Sequence, residues 1–136
     1  MMLSGDGMIT ISAADARMGM DLDGAGGYFR WTWSGWRWVT GLAEEFGWVP
    51  SQTGPPRGML KAAWCGDGEY WSNDGQRFYA RDAAGFADAL ERALAAIPEQ
   101  EPPKQGQFEG RYFTADEAAS LREFVAYCRA GSFRLH

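Results

Sequence analysis

The chain is poor in histidine, lysine and cysteine. Its one histidine is His136, and Lys61 and Lys104 are its only lysines. A general base has to be held in position, and chain ends are usually mobile. His136 is therefore a poor base, which leaves Ser-His-Asp and Cys-His chemistry without a partner residue and excludes histidine-based zinc sites. The two cysteines, Cys65 and Cys128, occur in unrelated contexts with no CxxC. They are expected to be reduced, buried thiols of a cytosolic protein. Apolar runs long enough for a secretory signal or a membrane span are missing from the first residues, so a soluble, cytoplasmic protein without a membrane partner is expected. Net charge is −5. The eleven arginines lie singly along the chain rather than in a cluster, which argues against nucleic acid as a partner. The phosphate-cradling patterns GxxxxGK[ST] and GxGxxG are absent.

What the chain has in surplus is aromatic side chains, 15% of the residues, with seven tryptophans. Four of these tryptophans fall in "YFRWTWSGWRWV", residues 28–39. Its first half alternates: Phe29, Trp31 and Trp33 on one face, Tyr28, Arg30 and Thr32 on the other. That period predicts a strand. From Ser34 onward the apolar residues Trp36, Val39, Ala43 and Phe46 follow helical spacing, with Ser34 as N-cap and Gly47 as the C′ residue. Gly41 inside this helix is expected to permit close packing.

The rest of the chain is read in the same way. A short strand is expected at residues 20–22, followed by the turn "DGAGG". Residues 48–58 form an exposed connection rich in proline and glycine, and residues 59–65 are a short helix or strand. "EYWSNDGQRFY", residues 69–79, predicts a hairpin turning at Asn73, Asp74 and Gly75. Phe86, Leu90, Leu94 and Ile97 line one face of a helix that Pro98 stops. Residues 108–113 suggest a strand. "TADE" at Thr114–Glu117 is a capping box for a helix that Gly131 closes, and "SFRL" reads as a last strand. The expectation is a single α+β domain over residues 18–136: a small, mainly antiparallel sheet against three helices at 35–46, 82–97 and 115–130, with an exposed loop at 98–107. Residues 1–17 are a weakly patterned N-terminal extension.

Two resemblances bear on function. Asp21 and Asp23 in "MDLDGAGG" resemble the nucleophile loop of the haloacid dehalogenase-like phosphatases, over the D-x-D-G residues alone. That family needs a hydrophobic strand before the motif, where "RMG" stands here, and a downstream lysine with an acidic pair, which is lacking. A polar turn is the better reading. The segment "NDGQRFYARDA" and the ending "FVAYCRAGSF" resemble small uncharacterised bacterial proteins that share an "NDGQ" turn-to-helix segment and an "FxxYCRxGxF"-like terminus. This implies a shared fold and transfers no activity.

With core positions subtracted, Tyr28, Arg30, Arg37, Trp38 and Trp71 stand out as candidate binding residues. Trp, Tyr and Arg are the usual anchors of interfaces. No catalytic residue, metal ligand or cofactor is expected. The reading is a non-catalytic binding protein of the inhibitor, immunity, anti-defence or adaptor type, engaging a protein partner or itself. The alternatives are a binder of a small planar or anionic ligand such as a nucleotide, or a small hydrolase using Asp21 and Asp23, or Glu69 beside its aromatic neighbours.

Overall fold

The computed structural model describes residues 19–64, 70–71, 73–102 and 110–136. The expected 1–17 extension, Cys65, Glu69 and residues 103–107 of the expected loop lie outside these residues. The described residues open with a hairpin, β1 (Met20–Gly24) and β2 (Gly27–Trp31), in register Met20↔Trp31, Leu22↔Phe29 and Gly24↔Gly27. Helix α1 (Trp33–Glu45) follows directly. After a long connection with one 3₁₀ turn, Lys61–Ala63, come β3 (Arg77–Phe78), α2 (Ala80–Ala96), α3 (Ala115–Arg129) and β4 (Phe133–Leu135). The four strands form an antiparallel sheet in the order β2-β1-β4-β3. With three helices on one face this is an α+β domain.

Why the chain leaves the strand where it does is a matter of capping. Thr32, not Ser34, is the N-cap of α1: its Oγ1 accepts from the Gly35 N–H at 3.0 Å. The helix therefore starts two residues earlier than its periodicity suggests, and Trp33 becomes a half-buried first-turn residue instead of a strand residue. At the other end the expected stop holds. Gly47 has φ +100°, a conformation that costs glycine nothing and other residues a steric clash. Gly41 does not mark close packing: a Cβ there would meet nothing within 4 Å. The capping box of α3 is complete, with Thr114 Oγ1 accepting from the Glu117 N–H and Glu117 Oε1 from the Thr114 N–H.

Alternation along the strands decides what is core. Met20, Leu22, Phe29, Trp31, Phe78, Phe133 and Leu135 turn to the helices and are buried or nearly so. Phe124 of α3 sits at the centre, ring centroids 5.1 Å from Phe86, 5.2 Å from Phe29 and 5.4 Å from Trp31. Phe78 stacks on Phe133 at 4.5 Å, and Trp48 on Phe86 at 4.3 Å. Such pairs contribute beyond their buried area, roughly 0.5–1.5 kcal/mol each. Gly24 lets β1 and β4 approach, since a Cβ there would lie 2.5 Å from the Phe133 Cα.

The hairpin expected at 69–79 is a correction. Gly75 does take a positive φ of 84°, but among the described residues β3 pairs with β4, and Arg77 is bridged to Gly54 on its other side. Gly75 N–H donates to Leu135 O, and Leu135 N–H to Gln76 O. The strand expected over 108–113 survives among the described residues as a single parallel bridge between Glu99 and Phe113.

Candidate functional site

The helices cover one face of the sheet, and the alternate residues of the same strands define the other. Across it run Tyr28, Asp23, Arg134 and Arg77, each directly opposite the next on neighbouring strands. A second row holds Arg30 opposite Asp21, with His136 N–H and O bonded to the Asp21 backbone. No helix of the described residues lies on this face.

At the β1–β2 edge, Asp21 Oδ1 takes a short hydrogen bond from the Tyr28 hydroxyl and an ion pair from Arg30 Nε at 3.2 Å. The phenol of Tyr28 is pushed up to about 12, first by desolvation and then by the neighbouring Asp21 carboxylate, which disfavours a second negative charge. Yet the residue as a whole is 64% exposed. It is a large aromatic held at its tip and open along its ring.

The other candidate residues are dispersed. Arg37 is exposed on α1. Trp38 is half-buried, 6.4 Å from Trp31 and edge-on to Phe113 at 6.1 Å, so it serves packing more than display. Trp71 is 43% exposed, next to Tyr70, whose carbonyl accepts from Trp36 Nε1 at 2.7 Å. The structure brings Tyr28 and Arg30 together through Asp21. The core absorbs more aromatics than the sequence suggests: Trp48, Tyr70 and Phe78 are all buried.

Sequence reasoning missed two features. One is the buried carboxylate of Asp82, 4% exposed in the first turn of α2. Its Oδ1 accepts from Ser51 N–H at 3.0 Å, and its Oδ2 from Ser51 Oγ at 2.9 Å and from the Tyr70 hydroxyl at 3.1 Å. Trp48 Nε1 donates to its backbone carbonyl at 3.0 Å. A buried carboxylate is tolerated when it is this fully bonded. Asp82 clasps the 48–51 connection and Tyr70 onto α2, and burial raises the Tyr70 phenol further, with the carboxylate adding to it. The Ser51 hydroxyl also accepts from Arg81 Nη2 at 2.9 Å. Seated between a guanidinium and a carboxylate, that hydroxyl is a structural link. The aspartate at the third helical position was the only available signal.

The other missed feature is a group of three arginines, Arg57, Arg77 and Arg134, around a cleft of about 250 Å³ at the β3–β4 end of the uncovered face. Asp23 also lines it. Cys128 is buried and unpaired in α3, and burial pushes its thiol well above the ordinary range. No helix of the described residues is long and apolar enough to cross a membrane. No known family model, curated protein or solved structure matches the chain.

Proposed function

We propose that the protein is a non-catalytic binding module that engages a protein partner, or a second copy of itself, through the uncovered face of its sheet. The observation that carries this reading is Tyr28: a large aromatic, 64% exposed, on a face that no described helix covers. A tethered tyrosine offers wide contact area with few rotamers left to freeze, and tyrosine flanked by arginine is typical of interface anchors. Arg30 stands beside it, and Trp71 is a second exposed aromatic.

The hydrolase alternative is weaker on the same geometry. Asp21 Oδ1 receives both the Tyr28 hydroxyl and the Arg30 guanidinium. A base must meet its substrate proton directly, whereas this carboxylate is committed to holding an anchor.

The test compares the native chain with Tyr28→Ala. Sedimentation and crosslinked pull-downs from the native host are expected to recover self-association or a stable partner with the native chain. Tyr28→Ala should weaken that association at least tenfold while leaving the far-UV circular dichroism unchanged. A monomeric chain that captures nothing, or a variant that binds as well as the parent, would sink the proposal.

A further inference from the structure

Arg77 and Arg134 face each other directly across β3 and β4. Like charges opposite one another in an antiparallel pair are destabilising, and Arg57 adds a third cation to the same cleft. None of the three makes an ion pair with a described carboxylate; in this they are like Arg37, Arg81 and Arg92 and unlike Arg30, Arg111, Arg122 and Arg129. Asp23 lies opposite Arg134 in register yet does not neutralise it. Arg134 Nη1 turns instead to two loop carbonyls, Pro55 O at 3.2 Å and Gly75 O at 3.0 Å. Arg77 lies over the Tyr79 ring at 5.5 Å and reaches Ser132 Oγ at 3.4 Å. The Arg77 and Arg134 guanidinium groups are thus positioned by neutral backbone, hydroxyl and ring partners, with no ion pair to a described carboxylate. Burial, followed by the charges of Arg57 and Arg77, lowers the affinity of Arg134 for its proton. In a chain of net charge −5, the bonds from Arg134 to Pro55 O and Gly75 O give that residue a role in the fold but do not account for the grouping of three cations. Departures from local rules of this kind are expected where a ligand is bound.

We infer that Arg57, Arg77 and Arg134 form a binding site for a phosphate dianion, free or as a small phosphomonoester. Among the described residues, three guanidinium charges against the carboxylate of Asp23 leave two positive charges, which match a dianion rather than a single carboxylate. The planar N–H fork of arginine suits tetrahedral oxyanions in bidentate fashion. A cleft of about 250 Å³ is below the roughly 300–1,000 Å³ of pockets that enclose drug-sized ligands, so it fits a phosphate group and its immediate substituent. A nucleic-acid strand is disfavoured, because Asp23 in the cleft wall and Asp21 two residues along the same strand face would repel the phosphates flanking a seated one. The cleft lies at the opposite end of the same face from Tyr28, and the phosphate assignment does not depend on the partner-binding reading.

The test is a titration of the ¹⁵N-labelled full chain at constant ionic strength, following the arginine side-chain N–H signals. Inorganic phosphate and glycerol phosphate are the ligands and chloride the control. The expected result is saturable shifts confined to Arg57, Arg77 and Arg134, several-fold tighter at pH 7.5 than at pH 5.5, where phosphate is a monoanion. Tighter binding of the ester identifies an organic phosphate as the source, and tighter binding of the inorganic ion identifies the free anion. The exposed pair Arg57→Gln with Arg77→Gln should keep the fold and lose at least tenfold in affinity, while Tyr28→Ala binds phosphate as the parent does. Unsaturable shifts, shifts spread over all exposed arginines, chloride acting like phosphate, or undiminished binding by the double variant would each overturn the assignment.

Discussion

The two faces of the sheet are made by the same four strands, from alternate residues, and they obey different rules. On the helix side every neighbour helps its neighbour: Met20, Leu22 and Leu135 are buried in the core, and Phe78 and Phe133 meet the rings of Phe86, Phe124 and Tyr127. On the far side the contacts are mixed. Tyr28, Asp21 and Arg30 satisfy each other, while Arg77 and Arg134 oppose each other. The inner face follows from folding alone. The outer face holds one arrangement that folding tolerates and would not select, and this contrast locates the candidate chemistry.

The largest effect that can break the comparison lies inside. Phe124→Ala removes the ring that touches Phe29, Trp31, Trp36, Phe86, Tyr127 and Phe133, and is expected to cost about 3–5 kcal/mol in urea unfolding. Outside, the sign should reverse. Arg77→Ala relieves a like-charge pair and is expected to leave stability unchanged or raise it by up to about 1 kcal/mol. That gain should shrink as salt rises, because exposed charges are screened. A loss comparable with Phe124→Ala would mean that the outer face is structural after all.

The smallest effect is at Tyr28. Its folded-state phenol titrates near 12 against about 10 in an unfolded chain. The neutral hydroxyl bonded to Asp21 therefore contributes stability that is fully present below about pH 10 and is lost as pH rises towards 12. Tyr28→Phe should be less stable than the parent by under about 1 kcal/mol at neutral pH, discounted for exposure. The gap in urea midpoints should close across that alkaline window.

Local chemistry made much of this legible in the sequence. The helices at 82–97 and 115–130 appear within two residues of their expected bounds as Ala80–Ala96 and Ala115–Arg129, because apolar spacing, Pro98 and the Thr114 capping box all agree. The break in the tryptophan run was legible as a change of period. Its position was not, since Thr32 and Ser34 are both competent caps and only packing chooses between them. The hairpin expectation failed because turn chemistry identifies Gly75 but cannot say which strand lies beside the residues after it. The arginine cleft was invisible for the same reason. Arg57, Arg77 and Arg134 are scattered singly along the chain, and only the β3–β4 register and the connection through Pro55 bring them together.

The strand order β2-β1-β4-β3 places the last strand of the chain in the middle of the sheet. Leu22 pairs with Leu135 and Gly24 with Phe133, so the central ladder joins the two ends of the described sequence. Pairings so distant along the chain are slow to form, because the loop between them must be closed before any contact rewards it. During synthesis the inner backbone edge of β1 stays unpaired until Phe133–Leu135 arrive. Assembly of the sheet is therefore a late event, and a chain that lacks Phe133–Leu135 loses a central strand rather than an edge.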